Sequence, residues 1–197
     1  MVWYEAEVQQ LEAKLNTLPA ATDRVVFYGS SSIRLWTTLA QDFPQINTLN
    51  VGFGGSTLAA CAWFFERLIV PARPTSLVFY AGDNDLGDGR HPEEVYLFFC
   101  AFAEKMRHSF PTVPLSFLSI KISPARWHMV NQIRYANQLI AGEIDKQTGY
   151  QFIDMTTPLL SRDGRPCQEF FESDGLHLSQ AGYRVWRQVM QEQARNV

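Results

Sequence analysis

Two hydrophobic periods alternate along the chain. Tyr4, Val8, Leu11, Leu15 and Leu18 recur every three or four residues, which predicts an amphipathic first helix stopped by Pro19. The next run, RVVFYG at 24–29, is short, apolar and closed by a glycine, and predicts a buried strand. INTLNVG at 46–52, SLVFYAG at 76–82, LSFLSIK at 115–121 and YQFIDM at 150–155 share that form. Between the strands the helical period returns. It covers 57–70, stopped by Pro71, and 92–109, which starts on Pro92 and carries Val95, Phe98, Phe102 and Met106 on one face. It covers Pro124 to about Lys146, with Ile133, Ala136, Ile140 and Ile144 as its stripe. A last helix follows Ser179, a good N-cap residue, and carries Val185, Trp186 and Val189.

Strands that alternate with helices predict right-handed crossovers and a parallel sheet covered on both faces. The expected fold is α/β: a three-layer α/β/α sandwich, flavodoxin-like, around a five-stranded parallel sheet. A length of 197 residues suits one domain, 1–197. There is no internal repeat or low-complexity tract, and the longest unpatterned stretch is 156–176. Ligands of such sheets bind outside the carboxyl ends of the strands, so chemistry is to be sought in the residues that follow each strand.

Composition narrows the function classes. Hydrophobic residues at 46% and charged residues at 19% exclude a disordered chain. A net charge of -3 without a basic cluster argues against nucleic-acid binding. Cys61, Cys100 and Cys167 contain no CxxC pair and form neither a disulfide framework nor a zinc site. Cys61 and Cys100 lie in apolar helical stretches and are expected in the core. The opening MVWYEAEVQQ lacks a basic start followed by an apolar run, and no stretch reaches the ~18 apolar residues of a membrane span. The expectation is a cytoplasmic protein without a membrane span.

Four loops follow the strands. Gly29-Ser30-Ser31-Ser32 leads into Ile33, Leu35 and Trp36, and a hydroxyl there either caps a helix or acts as a nucleophile at the positive end of its dipole. Gly52-Phe53-Gly54-Gly55-Ser56-Thr57 offers backbone N–H groups to an anion or oxyanion; Thr57 replaces the last glycine of a dinucleotide fingerprint. Asp83, Asp85 and Asp88 suggest a divalent cation or a polar turn, but Gly87 and Asp88 break the register of an EF-hand loop. Asn84 within that loop is a side-chain donor of the kind that stabilises an oxyanion. Asp174, three residues before His177 and with Gly175 between them, can fold back on the imidazole and leave Nε2 free as a base. His91 in a polar loop, and His108 and His128 on helices, read as surface or helix-end residues.

These blocks resemble the SGNH hydrolase superfamily, the GDSL-like lipases and acylhydrolases, over nearly the whole chain. VFYGSSSIRLW resembles the first block, and its register implies Ser31 as nucleophile. NVGFGGST implies Gly55 as a backbone oxyanion donor, YAGDNDL implies Asn84 as the side-chain donor, and DGLHLSQAGY implies Asp174 and His177. Ser30 stands where the family has aspartate. The GxSxG elbow of α/β-hydrolases is absent, with Ile33 in place of its second glycine.

The resemblance implies a serine esterase working through an acyl-enzyme. Its triad is Ser31, His177 and Asp174, and its oxyanion donors are the N–H groups of Ser31 and Gly55 and the amide of Asn84. No metal or cofactor is expected. The partner is a small-molecule ester, for which a short acyl group is favoured because no lid-sized apolar insertion is present. Phe53, Leu86, Trp127, Phe170 and Phe171 are candidate pocket residues, with the 156–176 loop as a specificity element. The alternatives are an acyltransferase on the same triad, a metal-dependent phosphoesterase on Asp83, Asp85 and Asp88, and a non-catalytic binding protein.

Overall fold

The structure, a computed structural model, describes residues 1–19 and 23–194. Its strands are β1 Arg24–Gly29, β2 Asn47–Gly52, β3 Ser76–Tyr80, β4 Leu115–Leu118 and β5 Tyr150–Ile153. Its helices are α1 Glu5–Thr17, α2 Ser31–Arg34, α3 Leu39–Asp42, α4 Leu58–Trp63, α5 Phe65–Ala72, α6 Asp83–Gly87, α7 Pro92–Ser109, α8 Val130–Ile144 and α9 Gln180–Gln193. A 3-10 turn, Pro124–Met129, precedes α8.

All neighbouring strands pair in parallel, in the order β2-β1-β3-β4-β5. This is the flavodoxin-like order, whose connections reverse direction between β1 and β3 and open a crevice at their carboxyl ends. The predicted five-stranded α/β/α sandwich is the observed fold. Side chains alternate between two cores. Val26 and Tyr28 of β1 and Leu77 and Phe79 of β3 join Val8, Phe64, Phe102 and Ile140 on one face. Val25, Phe27, Val78 and Tyr80 face the other way, toward Trp36, Phe43, Tyr183 and Trp186. With both faces covered, β1 and β3 are buried throughout, which is why each reads as an apolar run behind one polar first residue, Arg24 or Ser76.

Three local expectations are corrected. The helix foreseen at 57–70 is two helices that meet at Phe64, and Pro71 lies inside the second instead of ending it. A proline there forfeits one N–H bond, whereas burying Leu68, Ile69 and Ala72 carries the helix past it, to Arg73 at φ 49. The third, fourth and fifth strand runs leave the ladder early: Ala81-Gly82, Ser119–Lys121 and Asp154–Met155 are loops at the sheet's carboxyl edge, buried except at Asp154. There Ser119 N–H donates to the Ile153 carbonyl at 2.9 Å, and Ser119 Oγ accepts from Met155 N–H at 2.9 Å. Cys61 is in the core as expected, but Cys100 is only half-buried. No helix among the described residues is long and apolar enough to cross a membrane.

Candidate active site

The site begins with a close approach of two strands. Gly29, at the end of β1, has φ +130, and a Cβ built on it would lie 1.8 Å from the Tyr80 carbonyl oxygen of β3. Only glycine fits that position. Ser30 N–H then donates to the same carbonyl at 2.9 Å, and the chain turns into α2 with Ser31 as its first residue. An N–H in the first turn of a helix has no intrahelical partner, so that of Ser31 is left for another acceptor.

Of the two roles open to a hydroxyl here, capping is not taken up by the Ser30 side chain. Ser30 occupies the cap position, but its hydroxyl makes no cap bond, and Ser30 Oγ and Ser32 Oγ are both buried without a partner among the described residues. The helix has four residues, and the Ser30 carbonyl already takes the N–H groups of Ile33 and Arg34.

Ser31 Oγ lies 3.1 Å from His177 Nε2, and His177 Nδ1 lies 2.6 Å from Asp174 Oδ2. The loop that brings them here is pinned at both ends: Phe171 bridges Leu178, Glu172 N–H donates to the His177 carbonyl at 2.8 Å, and Ser179 caps α9. Inside it, Asp174 Oδ1 accepts from the N–H groups of Leu176 at 2.8 Å and His177 at 3.0 Å. The bond from His177, with those two N–H groups behind it, holds the Asp174 carboxyl at about 2, so it is ionised at any ordinary pH. A carboxylate on Nδ1 fixes the imidazole tautomer that presents Nε2 to the hydroxyl.

The loops after β2 and β3 close the other side. Gly54 N–H donates to Glu7 Oε2 at 2.8 Å and the Gly55 carbonyl accepts from Tyr4 Oη at 3.0 Å, so the first helical segment clasps this turn. The exposed Gly55 N–H has no partner among the described residues. Asn84 Nδ2 donates to the Ser56 carbonyl at 3.1 Å. Because β1 lies between β2 and β3, that bond spans the strand end that carries Ser31.

The neighbouring aspartates are engaged elsewhere. Asp83 Oδ2 accepts from the buried Lys121 Nζ at 2.9 Å. Asp85 Oδ2 accepts from Leu58 N–H, at the start of α4, at 2.7 Å. Among the described residues no three His, Cys, Asp or Glu side chains are grouped as metal ligands. His91 precedes α7, with its N–H bonded to Glu94 Oε2 at 2.8 Å; His108 lies in the last turn of α7, and His128 is exposed in the 3-10 turn.

Burial pushes the Asp85 carboxyl up to about 6, against the pull of the N–H groups of Leu58 and Ala59. It therefore binds more protons folded than unfolded between pH ~4 and ~6, and its contribution to stability falls as pH rises through that window, by about 2–3 kcal/mol in all. Asp85→Asn keeps a carbonyl for Leu58 N–H and should flatten this dependence. Urea unfolding of both proteins at pH 4, 5, 6 and 7 checks it, and parallel curves would refute the raised value.

Of the candidate pocket residues, Phe53 and Leu86 are enclosed in the core, where Phe53 packs edge-on against Tyr4 and Phe64. Phe171 is buried in the second core. All three side chains are packed within the two cores. Trp127 and Phe170 are half-buried, and Trp127 lies under the Arg165 guanidinium, 5.0 Å from its ring centroid. A cavity of about 540 Å³ opens beside His177, lined by Thr37, Thr38, Glu172, Gln180 and Arg184 among others. Tyr4, Glu7, Lys121 and Arg126 touch the site's framework without any motif to mark them; Lys121 alone gave a sign, as a charge at the end of a buried apolar run.

The family model for the GDSL-like Lipase/Acylhydrolase family matches residues 21–185. The chain belongs to that family. As a member it is a carboxylic ester hydrolase, and its substrate is a small molecule. No curated protein matches it in sequence. Among solved structures, a GDSL-like lipase from Bacteroides thetaiotaomicron superposes with TM-score 0.81 at 17% identity, covering 95% of this chain and 96% of the other. A carbohydrate esterase family 3 protein from Talaromyces cellulolyticus does so with TM-score 0.71 at 15% identity, covering 88% and 96%. A variant of an acetyl-xylooligosaccharide esterase from Geobacillus Stearmophilus gives 0.69 at 13% identity, covering 88% and 94%. Identities this low speak for the fold alone; membership rests on the family match.

Proposed function

We propose that this GDSL-family hydrolase is a serine esterase that cleaves short-chain acyl esters through an acyl-enzyme on Ser31. The observation that carries the reading is the continuous relay Asp174–His177–Ser31, at 2.6 and 3.1 Å. Ser31 Oγ attacks the ester carbonyl carbon while His177 Nε2 takes the hydroxyl proton, and ionised Asp174 stabilises the imidazolium. The developing oxyanion is met by the N–H groups of Ser31 and Gly55 and by Asn84 Nδ2. His177 returns the proton to the leaving alcohol as the C–O bond breaks. Water, deprotonated by the same imidazole, then attacks the acyl-enzyme and releases the acid and Ser31.

The short-acyl preference is supported by the closing of Phe53, Leu86 and Phe171 into the cores, which withholds them from an acyl sleeve. It agrees with the similar fold of the acetyl-xylooligosaccharide esterase. The mixed lining of the cavity beside His177, with Thr37, Thr38, Gln180 and Arg184 among Leu35 and Leu178, offers hydrogen-bond partners to the alcohol half of the ester. The test pairs a fluorophosphonate label with a chain-length series. Labelling should add one phosphonyl group, mapped to the peptide holding Ser31, and turnover of p-nitrophenyl esters should decline from acetyl to octanoyl. A label on another residue would refute the nucleophile; a rise toward octanoyl would refute the short-acyl reading.

A further inference from the structure

Arg126 lies on the 3-10 turn Pro124–Met129, after β4, and its backbone (φ -111, ψ 20) departs from helical geometry there. Its Nη2 donates to Asn84 Oδ1 at 3.1 Å. The same turn reaches the other half of the site, because Ala125 N–H donates to the Gly175 carbonyl at 2.9 Å, inside the loop that holds Asp174 and His177. The guanidinium rests on Gly87: a Cβ built there would lie 2.4 Å from Arg126 Nη1 and 2.6 Å from Cζ. Gly87 has an ordinary φ, so what its lack of a side chain provides is room for the guanidinium.

We infer that Arg126, seated on Gly87, is a positioning residue that fixes and polarises the Asn84 amide as an oxyanion donor. This rests on the role proposed above for Asn84. The amide is held from both ends, with Oδ1 against a guanidinium donor and Nδ2 against the Ser56 carbonyl acceptor. A flip would set donor against donor and acceptor against acceptor, so a single orientation is specified. The second Nδ2 hydrogen has no partner among the described residues. A cation on the amide oxygen also draws electron density from nitrogen and strengthens its N–H as a donor, as in any chain of polarised hydrogen bonds. The orientation and the polarisation both act on charge that develops at the oxyanion, so their loss falls on kcat more than on KM.

The experiment measures kcat and KM for p-nitrophenyl acetate in Arg126→Ala, Gly87→Ala, Asn84→Ala and the double variant Asn84→Ala/Arg126→Ala, each checked by circular dichroism. Asn84→Ala should lower kcat by roughly 10²–10³. Arg126→Ala should lower it by about 10- to 50-fold, with KM within about twofold, since the donor survives but is loosened. Gly87→Ala, which leaves every polar group in place and displaces the guanidinium, should change kcat in the same direction. The double variant should be no slower than Asn84→Ala, because Arg126 acts through that amide. Methylguanidinium should restore part of the Arg126→Ala rate and none of the Asn84→Ala rate. Arg126→Ala at wild-type kcat beside a slow Asn84→Ala would overturn this inference alone, as would an additive loss in the double variant. Asn84→Ala at wild-type kcat would overturn the oxyanion role itself.

Discussion

Ser31→Ala should lower kcat for p-nitrophenyl acetate by roughly 10⁴- to 10⁶-fold, while Ser30→Ala and Ser32→Ala keep turning over. The three hydroxyls are adjacent in sequence but differ in surroundings. Ser31 Oγ sits 3.1 Å from His177 Nε2, whereas those of Ser30 and Ser32 are buried without partners among the described residues. Replacing a buried, unpartnered hydroxyl with hydrogen, as Ser→Ala does, removes a desolvated polar group and breaks no hydrogen bond, so neither flanking variant should lose stability. The residual rate of Ser31→Ala would come from the oxyanion donors and binding, which survive loss of the nucleophile. Assays of the four proteins beside their circular dichroism spectra decide the matter. Equal rates in all four would end the triad reading, and a dead Ser30→Ala with an active Ser31→Ala would shift the nucleophile by one residue.

The sheet was legible because its central strands are buried on both faces. A strand in that position is apolar at nearly every residue, and RVVFYG, with its one charge at the entry, stands out against the helical periods around it. The length of the ladder was less legible. Lys121 and Met155 read as strand ends, yet they lie in buried loops beyond the last paired residues, and hydrophobicity alone does not separate a ladder from a buried loop. The candidate residues Ser31, Asn84, Asp174 and His177 were named for a different reason: strand-end position pointed to their loops, and the family resemblance chose the residue within each loop. The structure brings Ser31, His177 and Asp174 into one relay and ties Asn84 to the loop that follows β2.

What could not be read are the contacts between segments far apart in sequence. Tyr4 and Glu7 hold the Gly54–Gly55 turn across about fifty residues, and Arg126 meets Asn84 across 42. No local period encodes such pairs, since they depend on the strand order and on the path of the loops. The packing of the candidate pocket residues was hard to read on similar grounds. Phe53 and Leu86 adjoin the motifs in sequence, but a side chain beside a catalytic loop can turn inward, and here both are packed in the core that holds Val26 and Tyr28.

Asp83→Asn should destabilise the fold by about 3–5 kcal/mol, a fall in Tm of roughly 6–20 °C for a chain of this size. Asp83 and Lys121 form an ion pair at 2.9 Å that is almost wholly enclosed, with Tyr80 Oη accepting a further bond from Lys121 Nζ at 3.0 Å. Burial alone would push the Asp83 carboxyl up. The opposite charges of Lys121 and Arg126 outweigh it and hold the carboxyl below its usual range. Burial likewise works against the Lys121 ammonium, but Asp83 and Tyr80 hold its pKa above the ordinary lysine value, so both partners are charged. Removing one charge strands the other in the interior, which costs more than the pair contributed. A carboxyl lowered by folding adds stability above the ordinary aspartate range, and that stability is lost as pH falls through its lowered value. The Asp83→Leu/Lys121→Met double variant should recover most of the stability of the single variant's parent and lose this acid dependence, because it buries no charge. Urea unfolding of the three proteins from pH 7 to pH 3 separates the cases. A loss of less than about 1 kcal/mol in Asp83→Asn would mean the buried pair is not ionised.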